Sequence, residues 1–592
     1  MKEIWIKFKK DVTLEKIVVK LILSWLCTSL IFALKVNAPI MNAEFAANIN
    51  IGMYISFLAL FFVFFCAVST VRNFVWVETF GPLILITIYG TIGLNKNPNV
   101  SYFVGIMFAV AVSLAYAISK TKAFADIKKK STVISVYIVA ALVYVAIAGT
   151  TTVLRYLNYY APAFDFGIWC QMFQNMKEGF APVTTVEREF LMSHFEVHVS
   201  PIYYVYLPIY FIFPYPVTLQ ILQVLTLASG LIPIYLLCKK MGLTKTATAG
   251  FGLIYALYPA LATGCYYDLH ENCFLVPLIL WLFYFIEKDN LKGMIIFSIL
   301  VVLVKEDAPV YLACIGLYLM LGKKKYVKGA VMMCFAIVYF IGVTFYLKYY
   351  GQGVMTNRYN NFMTENGQGL FWVIRNFVTN PVYAIKECFK TDRFEFILYM
   401  LVPTGFLPII SKKIANYILL IPFFIVNLAP DYIYQHSIFF QYVFGTLAIF
   451  MYLAIINYSE MSEKLRRYFC GIALCAAIVI MPLGSLSRTW HMEYFTVNRE
   501  ELQELNEMVK SIPEDKSVSA STFFVPHFYK HDELYEYPYL YNKDIITDYV
   551  VIDIRNGKVS LEEQKKLEEN GYVFLEKRNN LYMIFVQKSQ NP

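Results

Sequence analysis

Residues 132–171 read TVISVYIVAALVYVAIAGTTTVLRYLNYYAPAFDFGIWCQ. From Thr132 to Thr150 there is no charge and mostly Val, Ile, Ala and Tyr. That is close to the roughly 20 apolar residues a helix needs to cross a bilayer. A single cation, Arg155, follows, and then an acid between two aromatic residues, Phe164-Asp165-Phe166-Gly167. A span that delivers polar side chains into a loop is the unit from which the rest of the chain is read.

Composition points the same way. Of 592 residues, 58% are hydrophobic and 16% charged, whereas a soluble chain carries about 25% charge to cover its surface. Phe (49) and Tyr (46) are abundant, as expected where rings sit in lipid or at its edge. Disorder, collagen and a secreted disulfide scaffold are excluded. The net charge of +9 comes from short basic clusters between apolar runs, so it does not imply nucleic acid. The 11 cysteines are scattered, with no CxxC pair. Cys265 and Cys273 flank one short loop, and their pairing stays open on spacing alone.

Candidate spans fall near 17–36, 51–71, 74–94, 101–119 and 132–150, then 217–238, 246–263, 272–287, 293–304, 308–321 and 326–347, and finally 395–410, 414–430, 438–456 and 467–486. The reading is an all-α polytopic membrane protein with about 13–15 transmembrane helices. Lys7, Lys9 and Lys10 place the N-terminus in the cytoplasm, and alternate connections are basic thereafter. These are Lys120 to Lys130, Lys239 to Lys245, Lys288 with Lys292, Lys323 to Lys328, Lys412 with Lys413, and Lys464 to Arg467. The alternation requires that Ile202 to Phe213, interrupted by Pro208, does not span.

Three regions follow: an N-terminal unit of about four spans (1–131), a core (132–486) with long outer loops at 151–216 and 348–394, and an extracytoplasmic α/β domain (487–592). In the last, Arg499 to Lys510 and Leu561 to Asn570 read as helices. Ser517 to Ser521 and Asp548 to Ile554 read as strands, with a hairpin at Arg578-Asn579-Asn580.

On this topology all seven histidines fall outside. An acid flanked by rings is partly desolvated, which raises its basicity and suits proton abstraction; Asp165 also fits as an N-cap for a helix beginning at Phe166. His194 and His198 share a helix face if that segment is helical, the spacing of a metal pair, yet a third ligand is missing. A divalent metal is left open. Asp268, His270 and Glu271 lie in a short outer loop, and Lys305-Glu306-Asp307 interrupts an apolar run, where three charges need partners, water or a function. Asp431 to His436 forms a third outer loop. A cleft shared by these loops would bring a base together with cations for a phosphate leaving group.

The stretch Arg155 to Cys238 resembles the bacterial and archaeal membrane-protein family known as domain of unknown function 2079. The matching pieces are Arg155, Asp165-Phe166-Gly167, Gln171, Gly179, His198 to Ile202, Pro208, and Gln223 before Pro233-Ile234-Tyr235, with Asp268, His270-Glu271, Lys305 to Asp307, Ser517 to Ser521 and Asp548 to Asp553 further on. His194 lies outside the pattern. That family is similar in layout to the GT-C class of membrane glycosyltransferases, which place an acid in the first long outer loop and take sugar from a polyprenyl-phosphate donor. The resemblance implies Asp165 as general base. Arg155, His198, Asp268, His270, Glu271, Lys305, Glu306, Asp307 and His436 then make up the surrounding substrate and phosphate site.

The implied partners are the lipid bilayer, a polyprenyl-phosphate-linked sugar and a glycan, lipid or protein acceptor; the implied place is the outer face of a plasma membrane. A transporter or lipid-carrier flippase is the alternative, disfavoured because the charges crowd one face rather than the bilayer midplane and no repeat is evident. A non-catalytic envelope protein is the third reading.

Overall fold

The computed structural model of the chain describes residues 13–36, 38, 40, 43–71, 75–96, 100–120, 127–353, 356–365, 368–484, 486–542, 544–555, 557 and 559–590. Lys7, Lys9, Lys10 and Lys122 of the basic pattern lie outside them. Among the described residues, eight helices are long and apolar enough to cross a membrane: Leu14–Lys35, Ile51–Ser69, Val75–Gly93, Lys130–Leu157, Pro216–Lys240, Lys245–Cys265, Tyr326–Tyr350 and Gln441–Glu460. Shorter apolar helices, including Leu291–Val302 and Ala308–Leu321, stand where further spans were expected. The chain is a multi-pass membrane protein.

Helix Lys130–Leu157 has 28 residues, which at 1.5 Å each makes it about 42 Å long. This exceeds the roughly 30 Å hydrocarbon layer, so its last turns, with Arg155, reach the polar region. At the centre is helix Phe444–Glu460, every residue of which from Phe444 to Tyr458 is buried. Helices Val75–Lys96 and Val100–Lys120 dock the N-terminal unit against Glu463–Gly484 through Phe103, Leu114, Ala476 and Ile480.

Two expected spans differ. The 395–410 segment is a helix only over Thr391–Leu401, because Pro403 and Pro408 remove donors and Gly405 turns left-handed (φ +60). The 414–430 segment is a 3-10 helix, Ile414–Leu420, then a π turn, Phe423–Leu428, divided at Pro422. Broken backbone at membrane depth needs internal partners, and buried amide side chains supply some of them. Asn457 Nδ2 donates to the Leu407 carbonyl (2.9 Å), and Gln435 Nε2 donates to the Val426 carbonyl (2.9 Å). Residues 201–212 form a 3-10 turn and the six-residue helix Leu207–Ile212, too short to span.

In the first long loop, β1 (Val183–Thr184) pairs antiparallel with β2 (Met192–Ser193). The C-terminal part holds a five-stranded sheet of β3 (Val518–Ser521), β4 (Leu534–Tyr537), β5 (Tyr549–Asp553), β6 (Tyr572–Arg578) and β7 (Tyr582–Gln587), in the order β4-β3-β5-β7-β6. The first three strands run parallel and β7 is antiparallel to both neighbours. Helices Arg499–Ser511 and Leu561–Glu569 accompany it; β4 was not legible in the sequence. Cys265 and Cys273 are free, buried thiols.

Candidate active site

Beyond Leu157 the chain folds back through a π turn, Ala163–Gly167, into helix Ile168–Gly179. Gly167 is needed here, since a Cβ would come within 2.9 Å of Val525. The turn also settles the capping question against Asp165. The helix begins at Ile168 with Gly167 at its cap, and the Asp165 carboxylate receives the Tyr267 hydroxyl instead. Burial pushes Asp165 up to about 6, although Lys305 and the Tyr267 hydrogen bond pull the other way.

Asp165 lines a cavity of about 630 Å³ together with His198, Tyr267, His270, Lys305 and Arg358. Much of the remaining wall is aromatic, with Phe164, Trp169, Tyr432, Tyr434, Phe440 and Tyr442, and Glu187, Arg188 and Asp431 add further charge. Loops that are far apart in sequence therefore meet in one space.

Below this space lies a buried charge network. Lys305 Nζ is 2.7 Å from Glu271 Oε1; the Tyr203 hydroxyl donates to Glu271 Oε2 (2.5 Å), and His270 Nδ1 is 3.0 Å from that oxygen. Burial alone would raise the Glu271 pKa, but His270 and Lys305 hold it well below the usual carboxylate range. Burial likewise works against the Lys305 ammonium, and Glu271 and Glu306 overcome it, raising its pKa. Lys305 thus presents a permanent positive charge to the cavity.

His198 Nδ1 lies 2.7 Å from Glu306 Oε1. Burial and Lys305 lower the His198 pKa, against the pull of the Glu306 carboxylate. The carboxylate beside Nδ1 accepts its proton, which turns Nε2 away from Glu306.

The remaining sequence-predicted residues sit around this space without lining it. Arg155 is ion-paired with Asp268 and donates to the Tyr267 carbonyl (2.9 Å). Asp268 also accepts from Gln220 Nε2 (2.7 Å) and has φ +115, a backbone conformation costing about 1–3 kcal/mol outside glycine. This pair is a strut behind Tyr267. Glu306 and Asp307 line a second space, an apolar cleft of about 410 Å³ walled by Phe340, Val373, Ile374 and Phe377. Asp307 is pushed up to about 6 by burial and by Glu306, against Lys305 and Arg358. His436 borders neither space; its Nε2 lies 2.9 Å from Asp392 Oδ2. His194 is buried with Nδ1 2.9 Å from Glu187 Oε2, in a three-residue 3-10 turn rather than an α-helix shared with His198. Among the described residues no group of three or more His, Cys, Asp or Glu is placed to hold a metal ion.

Arg358, which sequence reasoning passed over, borders both the polar cavity and the apolar cleft. Its guanidinium lies over the rings of Tyr432 (4.9 Å) and Tyr442 (5.3 Å), a cation–π arrangement that holds the charge in place.

The C-terminal sheet grips the Asp165 loop. Gln171 Nε2 donates to the carbonyls of His531 (3.0 Å) and Asp532 (3.1 Å), while its Oε1 accepts from Thr184 Oγ1 (2.7 Å) and Thr185 N (2.8 Å). Thr185 Oγ1 donates to the Leu534 carbonyl (2.6 Å), and the Ala163 amide donates to Thr522 Oγ1 (3.1 Å). Arg555 Nη2 donates to the Tyr159 carbonyl (2.8 Å) and pairs with Asp553 (2.7 Å).

Fold and site together define a polytopic membrane protein with a polar cavity walled by its long loops. The chain belongs to the family described as predicted membrane protein (DUF2079), whose model matches residues 155–583. Among solved structures it is similar in fold to ArnT from Cupriavidus metallidurans bound to undecaprenyl phosphate. The TM-score is 0.50 at 9% identity, covering 78% of this chain and 100% of that one. The apo state of the same protein gives a TM-score of 0.46 at 11% identity, covering 76% and 97%. No curated protein matches the chain.

Proposed function

We propose that the protein is an integral-membrane glycosyltransferase that moves a sugar from a polyprenyl-phosphate donor to an acceptor hydroxyl at the outer face of a plasma membrane. The observation that carries this reading is the junction at Arg358. There an apolar cleft suited to an isoprenoid tail meets a polar cavity holding a carboxylate of raised basicity and two fixed cations. The phosphate sits between Arg358 and Lys305, with His198 beside it, and the sugar occupies the cavity next to Asp165. In the reaction Asp165 takes the acceptor hydroxyl proton as the new glycosidic bond forms. The sugar–phosphate bond breaks, and its electron pair leaves on the polyprenyl phosphate facing the two cations. The fold likeness to a protein seen with undecaprenyl phosphate bound supports the choice of lipid.

The test is transfer from a polyprenyl-phosphate sugar by purified, reconstituted protein. Asp165→Asn keeps the side chain's size and should lower the rate by about two to four orders of magnitude while leaving binding of undecaprenyl phosphate intact. Transfer at the wild-type rate rejects the assignment. A flippase would instead move the lipid across vesicles with no product formed and no dependence on Asp165.

A further inference from the structure

Glu189 is buried, with 3% of its surface exposed, and has φ +60, a left-handed backbone that non-glycine residues rarely adopt. Its carboxylate explains why the conformation is kept. Oε1 accepts the Leu540 amide (2.5 Å), and Oε2 accepts the amides of Tyr541 (2.8 Å) and Asn542 (2.5 Å). Three successive backbone N–H groups converging on one anion form a nest. Here the anion comes from the first long loop and the nest from the C-terminal domain. The segment is tied down on either side as well: the Tyr539 hydroxyl meets Ser519 Oγ (2.7 Å), and the Thr547 amide donates to the Tyr572 hydroxyl (2.8 Å).

The clamp presents Tyr541. Its ring lines the cavity that holds Asp165, yet 55% of the residue is exposed. The Arg188 guanidinium lies 5.1 Å from the ring centroid. One side of the ring is therefore backed by a cation, and much of the rest stays uncovered. An aromatic ring left uncovered in a polar cavity is costly in water unless a ligand covers it. The negative ring face attracts the weakly positive C–H groups on the flat side of a sugar ring.

We propose that Tyr541 is a specificity-determining residue, a stacking platform for a pyranose ring, and that Glu189 positions it by clamping residues 540–542. The C-terminal domain then supplies part of the carbohydrate subsite. The proposal rests on the transferase reading above, and it names the class of ligand that the cavity takes on this wall.

The test uses full-length protein in nanodiscs and a panel of methyl pyranosides (neutral hexoses, N-acetylhexosamines and hexuronates), followed by saturation-transfer NMR. The wild type should bind at least one pyranoside saturably. Tyr541→Ala should weaken that binding by about tenfold, and Tyr541→Phe should keep it within about threefold. Glu189→Ala should weaken the same pyranoside and speed amide exchange at residues 540–542. Undecaprenyl phosphate should bind all variants alike, which shows that the fold is intact. Unchanged affinity in Tyr541→Ala, or no saturable pyranoside for the wild type, overturns the proposal. Loss of the transferase reading shows differently, as wild-type transfer by Asp165→Asn or no binding of undecaprenyl phosphate.

Discussion

At Asp165 burial and hydrogen bonding act in opposite directions, and burial wins, leaving a carboxyl that titrates near about 6. A base must be deprotonated to work, so the transfer rate should be level above this pH and fall about tenfold per unit below it. A profile of kcat/KM from acid to neutral pH checks this; a rate already level well below pH 6 removes Asp165 from the role. Arg155 and Arg358 separate structure from binding in the same way. Removing one partner of a buried ion pair costs about 3–5 kcal/mol, so Arg155→Met, which strands Asp268, should lower the thermal midpoint sharply. Arg358→Met should weaken binding of undecaprenyl phosphate far more than Arg155→Met does. Equal effects on both quantities in both variants would contradict the division of labour. The sequence showed one of these arginines and hid the other. Arg155 stands out as a lone cation after an apolar run, but its partner Asp268 lies 113 residues away, so it reads as free for phosphate. Arg358 has no local pattern, and the rings of Tyr432 and Tyr442 that it lies over are 74 and 84 residues away in the chain.

At the scale of elements, the apolar runs were legible wherever one helix carries the whole span. They misled where Pro403, Pro408 and Pro422 break the backbone, because apolar composition does not reveal how the freed carbonyls are satisfied. Asn457 does that work at Leu407 and Gln435 at Val426, so Asn457→Leu should destabilise the protein by about 1–3 kcal/mol despite adding apolar surface. Thermal unfolding in detergent reads this directly, and a gain in stability would show that the Leu407 carbonyl finds another partner. The loop at 348–394 also hid an element. Helix Leu370–Thr379 lays Val373, Ile374 and Phe377 along the apolar cleft. Val373→Trp should fill that space and weaken undecaprenyl phosphate by about tenfold, measured by native mass spectrometry; unaltered affinity would place the tail elsewhere.

Across the whole molecule, the positive-inside pattern predicts Lys129 in the cytoplasm and the C-terminal sheet outside. A cysteine at Lys129 should react with an impermeant reagent only after the membrane is opened, and one at Lys577 should react in intact cells. The opposite pattern inverts the topology and removes the outer-face reading. The grip of the C-terminal sheet on the first long loop bears on how the protein is made. Gln171 and Thr185 find their partners at residues 531–534, so the Asp165 loop waits for almost the entire chain to leave the ribosome before it is braced. Until then the loop that carries Asp165 lacks the braces that Gln171 and Thr185 find at residues 531–534. On the proposed function a checkpoint follows: a chain clipped before residue 531 should fail to transfer sugar even with Asp165 intact.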